Sequence, residues 1–319
     1  MTREEIIGVV SQNNSTILSF PERGQFGSSA YRGNCSGFYH AFCIWKYHVQ
    51  KLAELFAGSG TGSDVARDME IDYIGADLNP NPTRPNILTL DAINDEVPDS
   101  FRTADFLFVH PPYAKEIQIP YAGYMYPDPT GELSKSDLGQ MPWEQFIYTL
   151  NKIVMKFYSA MPGGSRMGIL MGDVKRNGKL YSMLCDICKP GQLEQIIIKA
   201  QHNCWSEGRK YSNANFVPIV HEYLMIIKKV EELLVSYSLP LKYEKDMRDV
   251  ESSSWKDVVL AVIRKERRCD LQTLYSMLES HEKAKRNPNY QAKIRQTLQE
   301  LRDKGLITSP YRGCWCAAA

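Results

Sequence analysis

The chain has 319 residues, 38 Lys and Arg against 37 Asp and Glu, and a net charge of +1. That length can bury one large domain and a small one, and the charge excludes a chain drawn to nucleic acid by its overall balance. Any such contact must come from a local basic face.

No apolar run reaches the roughly 18 residues that span a membrane, so no membrane partner is expected. The start, Met1-Thr-Arg-Glu-Glu5, lacks the basic-then-apolar pattern of a secretory signal. Eight cysteines show no disulfide-like framework, which predicts an intracellular, cytoplasmic protein with reduced thiols. Cys185-Asp-Ile-Cys188 and Cys314-Trp-Cys316 have zinc-like spacing, but no matching Cys or His pair accompanies them. They are expected to pack in the core, with no metal.

In chain order, β-branched and aromatic content predicts strands at Leu52–Ala57, Tyr73–Asp77, Phe106–His110, Arg166–Gly172, Gln195–Ala200 and Glu222–Lys228. Helices are predicted at Phe38–Tyr47, Thr61–Met69, Trp143–Ala160 and Lys179–Cys188. In Trp143–Ala160, Phe146, Leu150, Ile153 and Phe157 fall on one face. Alternating strands and helices predict an α/β, Rossmann-like, doubly wound sheet with helices on both faces. The last strand follows its predecessor without a clear helix and is expected to run antiparallel.

The pattern predicts a first domain over 1–235, a polar linker over 236–254 and a second domain over 255–319. In the second, Trp255–Lys265, Leu271–Ser280 and Asn287–Lys304 look helical, and Leu306-Ile-Thr pairs with Gly313-Cys-Trp315. Three helices and a hairpin outline a winged helix-turn-helix. Between His281 and Gly305 lie seven Lys and Arg against three acids. This local excess predicts a nucleic-acid contact through Lys283, Arg286, Asn289, Lys293 and Arg295; a solvated helix face is the alternative.

Two segments carry the chemistry. Leu52-Ala-Glu-Leu-Phe-Ala-Gly-Ser-Gly-Thr-Gly62 is a strand that breaks into a glycine turn and opens a helix. Such a turn lets a ligand approach the backbone at a helix N-terminus. Asp77, followed by Leu78, ends the next strand, where an acid can accept hydrogen bonds from ribose hydroxyls. Asp91 either meets an adenine edge or caps a helix. Phe106-Leu-Phe-Val-His-Pro-Pro-Tyr113 is a buried strand ending in a rigid corner.

These segments together resemble the S-adenosylmethionine-dependent DNA amino-methyltransferases of bacteria and phages. The resemblance covers roughly residues 20–230, in the gamma motif order, and includes Gly172–Gly178 and His221-Glu-Tyr-Leu224. It implies S-adenosylmethionine as cofactor, held by Glu54, Phe56, Gly58, Gly60, Asp77, Leu78 and Asp91. Tyr31-Arg-Gly-Asn-Cys-Ser36 resembles the family segment that folds onto the methionine end, through Asn34 and Ser36. It further implies double-stranded DNA as substrate, with transfer to the exocyclic amino group of a flipped base.

In that chemistry the amino nitrogen shares its lone pair with the ring and attacks poorly. Acceptors for both its hydrogens free the lone pair. His110 and the Pro111 carbonyl are the candidate acceptors, Pro112 stiffens the corner, and Tyr113 stacks on the base. His110 departs from the family, which more often has Asp, Asn or Ser. Neutral histidine accepts one hydrogen bond and protonated histidine none, so activity is expected to fall below about pH 6.5. Alternatively His110 packs or bonds a phosphate.

Adenine N6 is favoured over cytosine N4. Cytosine carbon 5 is set aside, since none of the 17 prolines precedes a cysteine. Ala114–Gln140, with Tyr121, Tyr124 and Tyr126, is expected near the flipped base. Lys199–Trp205 and Arg209-Lys-Tyr211 are expected near DNA. RNA or protein-amide methylation and a non-catalytic winged-helix regulator are the competing functions. A cognate restriction endonuclease and the oligomeric state are left open by the sequence.

Overall fold

A computed structural model describes residues 1–117, 120–202, 215–231, 237–239 and 253–318. The chain divides into two compact units, 1–240 and 241–319. Most of the expected 236–254 linker lies outside the described residues, as do Cys204-Trp205 and Arg209-Lys-Tyr211.

The first unit is built on an eight-stranded sheet. Its strands are β1 (Ile17–Leu18), β2 (Lys51–Leu55), β3 (Asp72–Asp77), β4 (Ile87–Thr89), β5 (Phe106–Val109), β6 (Arg166–Met171), β7 (Gln192–Ala200) and β8 (His221–Lys228). Their order is β1-β7-β8-β6-β5-β2-β3-β4. β2 pairs in parallel with both β3 and β5, and β8 runs antiparallel between β6 and β7, as expected.

The central strands are apolar because both faces are covered. Phe106, Phe108, Leu52 and Leu170 pack on one side with helices α1 (Arg3–Val10) and α2 (Phe38–Tyr47). Leu55, Leu107, Val109 and Ile169 pack on the other with α4 (Trp143–Ala160), whose Phe146, Leu150, Ile153 and Phe157 form the predicted stripe. Helix α3 (Thr61–Asp68) follows β2. The chain winds away from β2 in both directions, so a crevice opens at the carboxyl ends of β2 and β5.

One element is a correction. Lys179–Cys188 is not a helix. Asp173–Arg176 and Lys179–Ser182 form a hairpin, followed by a four-residue helical turn at Met183–Asp186. Asn177 and Gly178 have φ of 50° and 76°. Asn-Gly is the pair a tight hairpin turn requires, and that signal outranks the helical spacing of the apolar residues.

The second unit holds α5 (Trp255–Glu266), β9 (Arg268–Asp270), α6 (Leu271–Leu278), α7 (Tyr290–Asp303), β10 (Ile307–Tyr311) and β11 (Cys314–Ala317). Val259, Ile263, Leu274, Leu278, Ile294 and Leu298 fill its core. Ser254 and Asp257 close a capping box on α5, and Asp270 caps α6. The outline is the expected winged helix-turn-helix, with one strand unforeseen: β9 pairs with β11. Among the described residues no helix is long and apolar enough to cross a membrane.

Candidate active site

The turn after β2 is shaped by backbone that few residues adopt. Phe56 has φ 62°, Gly58 48° and Gly60 80°. A Cβ on Gly58 would lie 2.8 Å from the Tyr31 ring, so that position admits only glycine without a shift. The Gly58 N–H donates to Asp77 Oδ2 at 2.8 Å, and the Asn79 N–H to Asp77 Oδ1 at 2.9 Å. Asp77 therefore ties the glycine turn to the end of β3. Burial raises its pKa, against the pull of these two N–H groups. Each carboxylate oxygen keeps lone-pair capacity for a further donor.

The segment before α2 folds onto this turn. Asn34 donates to the Ser28 carbonyl at 2.7 Å and accepts from the Thr61 hydroxyl. The Tyr31 ring lies against Gly58 and 6.0 Å from the Tyr121 ring. Glu54 is buried in the middle of this arrangement. It accepts from His40 Nε2 at 2.7 Å and from the Tyr73 hydroxyl.

β5 delivers the rigid corner beside them. His110, Pro111, Pro112 and Tyr113 line the same cleft as Asn34, Glu54, Phe56, Gly58, Asp77 and Leu78. The cleft encloses about 910 Å³ of non-atom space, counted to its open mouth. Behind the corner, the Tyr113 hydroxyl donates to Glu222 Oε1 at 2.8 Å. The Lys199 ammonium pairs with Glu222 Oε2. Burial opposes the Glu222 charge, but Lys199 and His110 outweigh it and hold the carboxyl below its ordinary value.

The tyrosine segment closes one wall. Buried Asp137 accepts the N–H groups of Tyr121, Ala122 and Gly139, and so fixes the loop. Tyr121 and Tyr126 line the cleft, and burial holds their phenols protonated. Tyr124 instead stands 63% exposed, with the Arg32 guanidinium 6.0 Å from its ring.

Three of the expected cofactor residues fall elsewhere. Ser36 bonds the Arg23 carbonyl and the Phe38 N–H, capping α2. Gly60 sits against Arg84 rather than in the cleft lining. Asp91 accepts the N–H groups of Ile93 and Asn94 and the Ser136 hydroxyl, beside a separate shallow depression. This is the cap reading of Asp91.

Sequence reasoning missed Cys35, His40, Tyr73, Lys199 and Glu222 as parts of this site. Only Glu222 left a usable signal: an acid inside the apolar run Glu222-Tyr-Leu-Met-Ile-Ile227. A buried carboxylate needs a charged partner, and that need marks it.

In the second unit, Arg286, Asn289 and Arg295 are exposed, and Lys283 and Lys293 are half-buried. Arg295 donates to the Tyr275 hydroxyl at 2.8 Å, and Lys293 to Gln296. The Asn289 side chain does not cap α7; its backbone N–H bonds Asn287 Oδ1.

Residues 251–315 match the model of the Dam-replacing HTH domain, DpnI_C. This HTH domain coincides with the second unit's helices and sheet. No curated protein matches the chain in sequence.

Among solved structures the chain is similar to TrmN from Thermus thermophilus, with 14% identity, TM-score 0.39, and 62% of this chain and 50% of that one covered. It is also similar to TTHA0409, a candidate DNA modification methylase from the same species. There identity is 15%, TM-score 0.25, and coverage 46% and 51%. A SAM-dependent methyltransferase from Archaeoglobus fulgidus shows 12% identity, TM-score 0.34, and coverage of 60% and 93%. The chain thus spans about half the length of TrmN and TTHA0409. Likeness at this level leaves substrate and chemistry to the residues of the cleft itself.

Proposed function

We propose that the chain is an S-adenosylmethionine-dependent DNA methyltransferase acting on the exocyclic amino group of a flipped base, adenine N6 in the first instance. One observation carries the reading: the glycine turn with Asp77 and the His110–Tyr113 corner line a single cleft. A cofactor cradle and a base pocket must meet for direct transfer, because reacting atoms have to come within about 3–3.5 Å.

The residues present suit the cofactor. Leu78, Leu90, Ile93 and Leu138 offer an apolar wall for a flat ring. Asp77 offers acceptor capacity for hydroxyl groups, and Gly58 leaves the backbone open. When bound, S-adenosylmethionine supplies an electrophilic methyl on a sulfonium.

The protein's own part is to hold and prepare the base. The Pro111 carbonyl and a neutral His110 accept the two amino hydrogens, which releases the nitrogen lone pair. The prolines fix the carbonyl direction. The Tyr113 ring, anchored through its hydroxyl to Glu222, stacks on the base. The HTH domain would grip DNA through phosphate contacts from Lys283, Arg286, Lys293 and Arg295, with Asn289 at the helix start. A cognate restriction endonuclease belongs to this reading only as a question for the source genome.

The test is incubation of unmethylated DNA with labelled S-adenosylmethionine, followed by nucleoside mass spectrometry. N6-methyladenine is expected. N4-methylcytosine would keep the mechanism and reverse the base. No transfer to DNA with cofactor binding intact would overturn the reading in favour of RNA, protein or a regulator.

A further inference from the structure

Cys35 occupies a position that the methyl-transfer reading does not use. It is 5% exposed, lines the cleft, and its sulfur lies within hydrogen-bonding reach of the imidazoles of His40 and His110. His40 is 1% exposed and held on both sides. Its ring stacks on Phe108 with centroids 3.9 Å apart, and its Nε2 is fixed by Glu54 at 2.7 Å. Its Nδ1 is buried without a conventional hydrogen bond, so the Cys35 sulfur is the polar neighbour available to it. Tyr39 and Cys43 from α2, Tyr113, and Lys199 from β7 also face this sulfur electrostatically.

Glu54, His40, Cys35 and His110 thus form a chain running from the cofactor turn to the base corner. Burial alone would favour the neutral thiol, but the two imidazoles bring Cys35 down to about 5. The same contacts, led by Glu54, overcome burial and raise His40 to about 10. At neutral pH the chain alternates carboxylate, imidazolium, thiolate and imidazole.

We propose that Cys35 is a positioning residue for His110, accepting the hydrogen of one ring nitrogen so that the other presents its lone pair to the cleft. This deepens the methyl-transfer reading and rests on it, since only there is His110 an acceptor. It also resolves the departure from the family's usual first residue. A free imidazole exchanges its hydrogen between two nitrogens, and one tautomer would offer a donor where an acceptor is needed. A base held in one tautomer by a third group is the general solution.

The experiment uses the full-length protein with isotope-labelled histidine, and nitrogen shifts report the tautomer of each ring. His110 is assigned by its loss in His110→Asn. One tautomer is expected in the wild type at neutral pH and a mixture in Cys35→Ala. Cys35→Ala should lower kcat about ten- to a hundredfold, as losing an orienting partner commonly does. KM for DNA and affinity for S-adenosylmethionine should hold, and Cys35→Ser, with a weaker acceptor, should restore part of the rate. In the His110→Asn background, Cys35→Ala should cost nothing further.

A mixed His110 tautomer in the wild type overturns the proposal without any variant, as does an unchanged tautomer in Cys35→Ala. If His110→Ala methylates DNA at the wild-type rate, the acceptor reading itself fails. The tautomer measurement still decides the Cys35 contact in that case.

Discussion

Tyr113 donates its phenolic hydrogen to Glu222 Oε1 at 2.8 Å, across 109 positions of sequence. Glu222 in turn holds the Lys199 ammonium, whose side chain is 12% exposed. Removing the carboxylate therefore strands a buried charge as well as freeing the tyrosine. Glu222→Ala should cost about 3–5 kcal/mol in unfolding free energy, the usual penalty for breaking a buried pair from one side. Tyr113→Phe leaves that pair intact and should cost about 1 kcal/mol. Urea unfolding separates the two variants. Equal costs would mean that the ion pair does not stabilise the fold. Tyr113→Phe should also keep methylation within about tenfold, since the ring face is unchanged.

The glycines of the turn are not equivalent. A Cβ at Gly58 meets the Tyr31 ring at 2.8 Å, whereas one at Gly60 meets Arg84 Cγ at 2.6 Å. The ring is packed in the cleft wall, while an arginine chain can move aside. Both positions have positive φ, which costs any other residue about 1 kcal/mol or more. Gly58→Ala should weaken S-adenosylmethionine binding, read by calorimetry, much more than Gly60→Ala. The reverse order would remove Gly58 from the cradle.

His40 makes the fold's stability depend on pH. Burial disfavours its imidazolium, but Glu54 and Cys35 outweigh burial and raise it to about 10. A raised value means that folding stabilises the charged form. That contribution is complete below about 6.5, the ordinary histidine value. It is lost as pH rises through about 10. Cys35 works in the opposite sense. Its value, lowered to about 5 by His110 and His40 against burial, gives stability that is lost as pH falls through about 5. In a Cys35→Ser background only the His40 contribution remains. There the unfolding free energy of the chain should converge on that of its His40→Gln variant from neutral pH toward about 10. A gap that stays constant over that range would show His40 to be neutral in the fold.

The HTH domain gives a prediction independent of the cleft. Arg286 is exposed and held only weakly, 4.0 Å from Glu282. If it meets a phosphate, Arg286→Ala should reduce the slope of log affinity against log salt by about 1. Affinity for S-adenosylmethionine should not change. An unaltered salt slope by filter binding would assign this side chain to solvent.

Much of the scaffold was legible because its signals are local. The alternation of apolar strands with the striped helix Trp143–Ala160 specifies a doubly wound sheet, and the Phe146–Phe157 stripe is buried as its spacing predicts. The turn at Gly58 and the corner at Pro111 are short-range chemistry, written in adjacent residues. Where two local signals competed, at Lys179–Cys188, apolar spacing pointed to a helix and the Asn177-Gly178 turn prevailed.

What the sequence by itself determined is thus the strand, turn and corner that could carry a cofactor and a base. Only the tertiary structure decided which side chains stand behind them. Glu222 and Lys199 reach Tyr113 because β8 and β7 pair at that register. Cys35 and His40 reach Glu54 and His110 because α2 packs on the face of the sheet that carries Phe108. Buried charges choose partners by distance in space, and no periodicity along the chain records that distance.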